Sequence, residues 1–175
     1  DFDSALKELD TALNADLQNA RAYQLKAEIQ VAKNDLRGAE ETLTKLKAEL
    51  PTLPIGNYRL GLLYLAQKKH DQATAEFELA LKKAPDAIEP LAAIVTSLLE
   101  QGKMDKAVAR IKQAIEANPG NLIPYSLLAD VYARQKKYAE AETALRRAIR
   151  VNQSATEPYV GLASLYVIRG DTMGA

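Results

Sequence analysis

The chain has 175 residues, with 23 Lys and Arg balanced by 23 Asp and Glu, one His, no Cys and a hydrophobic content of 47%. Such a chain buries a core and is not disordered, and without cysteine it has no disulfide framework, thiolate zinc site, iron–sulfur cluster or cysteine nucleophile. Residues 1–87 carry 12 basic and 14 acidic side chains and residues 88–175 carry 11 and 9, so neither half has the basic stripe a phosphate backbone needs, and the charge-free stretch from Pro90 to Leu99 falls far short of the roughly 20 residues of a membrane span.

Prolines set the organisation. Pro51, Pro85 and Pro119 recur at a spacing of 34, and so do Pro90, Pro124 and Pro158. Two such shifts align Gly61 and Tyr64 with Ala129 and Tyr132, and a third with Ala163 and Tyr166. The shift of 34 also aligns Ala39, Ala73, Ala107 and Ala141; Leu43, Phe77, Ile111 and Leu145; and Ala80, Ala114 and Ala148. A 34-residue unit with an aromatic, Leu, a small residue, Tyr, Ala, a large apolar residue, Ala and Pro resembles the tetratricopeptide repeat. The resemblance implies an all-α fold, a right-handed superhelical solenoid of antiparallel helix pairs.

In chain order, residues 1–19 read as the second helix of a partial repeat, with Ala5, Leu9 and Ala12 in its columns. Complete repeats follow at 20–53, 54–87, 88–121 and 122–155, and residues 156–175 read as the first helix of another, with Tyr159, Leu162, Ala163 and Tyr166. Opening within one helix pair and stopping within another predicts a segment of a longer array. Local departures are Lys26 and Gln30 at apolar places, Asn57 at an aromatic one, Val95 at a small one and Gln153 at the final proline. The periodicity stands apart from the family likeness: Leu128, Ala129 and Tyr132 follow Tyr125 on one helical face, and Ala141, Ala144, Leu145, Ala148 and Ile149 form the face of a second helix. Small residues let the paired helices approach while Tyr64 and Tyr132 fill the space beside them. Pro90, Pro124 and Pro158 mark helix starts, and Pro85 and Pro119 mark stops. Asn34, Lys68, Gly102, Lys136 and Gly170 occupy the turn between paired helices, where a positive φ is expected at all five.

The sequence holds no catalytic, cofactor or metal constellation. Its eight glycines make no dinucleotide fingerprint, and Gly56 and Gly61 are followed by Leu62 and Leu63 where a phosphate loop needs Lys and Ser or Thr. His70 shares its place with Leu36, Met104, Tyr138 and Thr172 and reads as a half-buried packing residue. Lys68, Lys69, Lys136 and Lys137 read as solvated turn lysines. Arg146, Arg147 and Arg150 read as partners of Glu140 and Glu142 within one helix, with an anion-binding outer face as the alternative. Glu28, Glu100 and Asp130 lie on different repeats without a nucleophile to serve.

The family resemblance implies that the first helices line a concave peptide-binding surface through the second, fifth, ninth and twelfth places of each repeat. Those are Arg21, Gln24, Glu28 and Val31; Ile55, Tyr58, Leu62 and Leu65; Glu89, Ala92, Thr96 and Leu99; Ile123, Ser126, Asp130 and Ala133; and Glu157, Val160, Ser164 and Val167. The carboxylate clamp of chaperone-binding members needs Lys and Asn at these places and cannot be built. Mostly neutral and apolar, the surface points to a non-catalytic scaffold for a protein or peptide partner, an amphipathic helix or an apolar extended segment. Tyr58, Leu62 and Leu65 are the central anchors, with Gln24, Glu28, Ala92, Thr96, Leu99, Ser126 and Asp130 beside them, unless the three anchors pack on a neighbouring first helix instead. Two other readings stand beside this one. In one the chain is a structural spacer of a larger bacterial secretion or polysaccharide-export protein, with end-to-end self-association. In the other it is the repeat region of an enzyme whose catalytic domain lies elsewhere. The cytoplasm and the periplasm of a bacterium both accommodate such a chain.

Overall fold

Small residues at helical spacing with turn signals between them leave the chain one regular structure to adopt. A computed structural model describes residues 1–170, all of whose regular elements are α-helices. They are α1 Phe2–Ala15, α2 Ala20–Ala32, α3 Leu36–Glu49, α4 Ile55–Ala66, α5 His70–Lys83, α6 Ile88–Glu100, α7 Met104–Ala117, α8 Ile123–Arg134, α9 Tyr138–Val151 and α10 Glu157–Arg169. Thr172 and the end of the expected unit 156–175 lie outside the described residues. The odd-numbered helices α1 to α9 start at residues 2, 36, 70, 104 and 138, each 34 after the last.

The chain forms two units, Asp1–Ser97 and Leu98–Ala175. In the first, each of α1 to α4 packs on the helix that follows it; in the second, α7, α8 and α9 do the same, and α10 also reaches α8. Turns of three residues fold α3 back on α2, α5 on α4 and α9 on α8. The alanine column is wholly buried, with Ala39, Ala73, Ala107 and Ala141 all at 0% exposure, as are Phe77 and Ile111 in the large apolar column. Gly61 shows why small residues stand opposite: a Cβ there would come within 2.5 Å of the Phe77 ring.

Positive φ occurs at the five expected turn residues: Asn34 (62°), Lys68 (58°), Gly102 (69°), Lys136 (58°) and Gly170 (79°). In the turn after α4, the Lys68 N–H donates to the Leu65 carbonyl and the Lys69 N–H to the Tyr64 carbonyl, each at 2.9 Å, so the left-handed residue lets the chain satisfy two terminal carbonyls. The same pair of bonds closes α2, α6 and α8. Lysine pays a steric cost in this conformation that glycine does not. Replacing Lys68 or Lys136 by Gly is therefore expected to raise stability by about 0.5–1 kcal/mol, read as a higher urea midpoint; an unchanged or lower midpoint would refute the strain argument.

The departures from the repeat pattern are resolved locally. Lys26 pairs with Asp10, and buried Gln30 accepts a 2.7 Å hydrogen bond from the Thr42 hydroxyl. Val95 is buried at a small-residue place. Asn57, 1% exposed where other repeats carry Tyr23, Leu91 or Tyr125, donates to Glu76 and accepts from Lys83, each at 2.5 Å. Lys47 donates to the other Glu76 oxygen at 2.7 Å, so α3, α4 and α5 meet through a polar network at this point.

Candidate functional site

Pairing of α2 with α3 and of α3 with α4 sets α2 and α4 on either side of Leu43, and a cleft of about 250 Å3 opens between them. Its floor is apolar, made by Ala27, Val31, Leu62, Leu63 and Ala66 around Leu43, and Gln24, Glu28 and Arg59 stand at its rim. The Arg59 guanidinium spans the two helices, donating to the Gln24 side-chain oxygen Oε1 from Nε at 3.2 Å and from Nη2 at 3.0 Å. Its Nη1 also pairs with Glu28 at 3.5 Å.

The second unit has a cleft of about 170 Å3 between α8 and α10. Every lining residue of the first cleft maps onto a lining residue of the second by a shift of 102, three repeats: Gln24 to Ser126, Glu28 to Asp130, Val31 to Ala133, Leu62 to Ser164, and the other five likewise. The position is shared and the chemistry is not. Gly161 stands where Arg59 is, so this place offers no side chain to bridge the helices, and Asp130 accepts from Arg134 in its own helix at 2.9 Å. The first cleft therefore suits an apolar side chain beneath a polar rim, and the second a smaller group in reach of hydroxyls and a carboxylate.

Of the ten expected binding residues, the structure gathers Gln24, Glu28 and Leu62 at the first cleft and Ser126 and Asp130 at the second. The other five line neither. Tyr58 is half-buried, its ring centroid 6.0 Å from that of Phe77 on its own second helix. Leu65, Ala92 and Leu99 are half-buried and Thr96 is exposed. Arg59 escaped sequence reading because it occupies the sixth place, where other repeats carry Leu25, Ala93, Leu127 and Gly161. A charge in that company was the available signal.

The remaining polar side chains read as structural. His70 is the first residue of α5, half-buried, with Nδ1 3.3 Å from the Ser97 hydroxyl. Tyr64 donates to Glu40 at 2.8 Å, and burial, with that bond and the carboxylate charge, pushes its phenol up to about 12. Arg146 pairs with Glu142 at 2.8 Å, as expected of a shared helix, whereas Arg147 lies over the Tyr125 ring at 5.7 Å. Lys68, Lys69, Lys136 and Lys137 are exposed. Among the described residues no cluster of His, Cys, Asp or Glu is arranged to hold a metal ion, and no helix is long and apolar enough to cross a membrane.

Residues 98–166 and, separately, residues 56–86 match the tetratricopeptide repeat family. No curated protein sequence matches the chain. Among solved structures, TTC0263, a thermophilic TPR protein from Thermus thermophilus, is 22% identical with a TM-score of 0.62, over 95% of this chain and 91% of that one. PilF of Pseudomonas aeruginosa is 16% identical with a TM-score of 0.66, over 99% and 79%. YrrB, described as a TPR protein with an unusual peptide-binding site, is 16% identical with a TM-score of 0.57, over 93% and 84%. At these identities the likeness is one of fold, that of a helical-repeat solenoid.

Proposed function

We infer, from the fact that this chain belongs to the tetratricopeptide repeat family, that it is an interaction scaffold without catalysis of its own, which holds an apolar or amphipathic segment of a protein partner against its first helices. The observation that carries this reading is the recurrence of one cleft at the same nine repeat places in both units. A cleft that follows the repeat is a surface property of the array, the kind of site that reads a linear segment side chain by side chain. YrrB, similar in fold, has a peptide-binding site in its own description. The apolar floor around Leu62 supplies affinity by burial, while the Arg59 bridge fixes the rim so that little ordering remains to be done on binding.

The test uses peptides selected from a random library on the intact chain, with affinity read by fluorescence polarisation. Replacing Leu62 by Asn is expected to weaken binding by at least about 1 kcal/mol while the helical circular dichroism persists. Replacing Lys68 and Lys69 by Ala should change neither quantity. Unchanged affinity in the groove variant, with loss instead on reversing Arg146, Arg147 and Arg150 to Glu, would move the site to the second helices and refute the groove.

A further inference from the structure

Tyr64 donates its hydroxyl hydrogen to Glu40 at 2.8 Å, and Tyr166 donates to Glu142 at 3.0 Å; each acceptor is a glutamate 24 residues earlier, on the second helix of the preceding repeat. At Tyr166 a cation completes the group: Arg146, 20 residues before the tyrosine, donates to its hydroxyl at 3.0 Å and pairs with Glu142 at 2.8 Å. Tyr132 belongs to the same column. Lys112 stands in the Arg146 place before it, but half-buried Val108 stands where the glutamate does. The Tyr132 hydroxyl and the Lys112 ammonium have no hydrogen bond or ion pair among the described residues.

Both side chains line a cleft of about 400 Å3 between α7 and α9, floored by Ile115 of α7, Leu128 of α8 and Ala144 of α9. Two repeats earlier, Lys47, Asn57 and Glu76 hold the places of Ile115, Tyr125 and Ala144 and bond to one another across the three helices. Here the same three places carry no charge and are buried, so the floor is apolar. At the rim Lys112 and Arg147 are balanced by Glu116 and Glu140, and Arg147 is set over the Tyr125 ring at 5.7 Å. A rim without excess positive charge does not select a phosphate or another dianion. The two donors at Lys112 and Tyr132 match a single carboxylate.

We propose that this cleft binds an acidic side chain of a protein partner, its carboxylate accepting from Tyr132 and Lys112 as Glu142 accepts from Tyr166 and Arg146, with a large apolar side chain of the same segment over Ile115, Leu128 and Ala144. Tyr132 and Leu128 are one turn apart on α8, about 5.4 Å, so the acid and the apolar group sit at positions such as i and i+4 of a partner helix. A helix suits the place for two reasons. The carboxylate that meets this tyrosine in the other repeats is itself a glutamate on a helix, and Lys112, Glu116, Glu140 and Arg147 are exposed on both walls, where flanking side chains of a helix reach them. The site shares no residue with either groove cleft and stands whether or not the groove binds a peptide.

The test is an amide chemical-shift titration of the 175-residue chain with a capped, alanine-based helical peptide carrying Glu and, four residues later, Leu. Saturable changes are expected at Lys112 and Tyr132, with Kd below about 1 mM. Gln in place of the peptide's Glu should weaken binding at least about tenfold, and Tyr132→Phe about threefold to tenfold. Val108→Glu, which gives Tyr132 the carboxylate its counterparts have, should compete with the peptide and weaken it at least about tenfold, with the helical circular dichroism intact. Leu62→Asn should leave the affinity unchanged. No saturable change at Lys112 and Tyr132 up to about 5 mM peptide, equal affinity for the Glu and Gln peptides, or a Val108→Glu chain that binds as the parent does would each overturn the proposal. Hexanoate binding as tightly as the peptide would assign the cleft to free acids and overturn the protein partner.

Discussion

Replacing Glu76 by Ala is expected to cost about 2–3 kcal/mol of stability at neutral pH, because the carboxylate is the anion that two neighbouring cations and a buried amide share. Its side chain is 13% exposed, and it accepts from Lys47 at 2.7 Å and from the Asn57 amide at 2.5 Å. Asn57 is 1% exposed, so its NH2 loses a partner that water cannot easily replace. Burial, and after it the charge of Lys47, holds the Lys83 ammonium below its ordinary range, and Glu76 is the group that opposes both. Without Glu76, Lys83 falls further in the folded state while keeping its ordinary affinity for protons in the unfolded one. Between those two values the unfolded chain binds more protons, so the variant gains stability relative to the parent as pH rises. The deficit should therefore narrow between pH 7 and about pH 10. Urea unfolding at both values checks this, and a deficit that is constant or grows with pH would place the loss in packing and not in charge. Glu76→Gln, which keeps an acceptor for Asn57, should cost less than the Ala variant.

The fold was legible because its determinants are local and repeated. A column such as Ala39, Ala73, Ala107 and Ala141 states one packing requirement four times, so chance at any one position does not hide it, and all four are fully buried. The turns were legible for a second reason: Asn34, Gly102 and Gly170 are residues that tolerate positive φ, and register extends the expectation to Lys68 and Lys136, whose own chemistry argues against it. What escaped was chemistry joining different repeats. The Arg59 bridge to Gln24 and Glu28 links α4 to α2, and the Asn57, Glu76, Lys47 and Lys83 network links α3, α4 and α5. Each is written in the sequence only as a residue out of keeping with its column, which says that something differs without saying what it meets. Tyr58 adds a contact of another kind: its ring lies 6.0 Å from that of Phe77, a neighbour 19 residues along the chain that neither column announces.

Enlarging the small column should be among the most damaging apolar changes this chain can suffer. Ala73 and Ala141 are both at 0% exposure, at the same place in their repeats, on the face by which a second helix meets the first. The separation is already minimal where Gly61 faces Phe77, since a single added carbon would overlap that ring at 2.5 Å. Three further heavy atoms at Ala73 have no void to enter and must push α5 away from its neighbours or take strained rotamers. Ala73→Leu and Ala141→Leu are each expected to destabilise by about 1–3 kcal/mol, seen as a lower thermal midpoint with the helical signal retained below it. Ala75 and Ala139 lie on the same two helices and are exposed. Leu at either should change stability by less than about 0.5 kcal/mol, which separates overpacking from any general effect of Leu in these helices. Melts of Ala73→Leu that match Ala75→Leu would show that the helices separate freely, and the close approach that sets the repeat geometry would have to be given up.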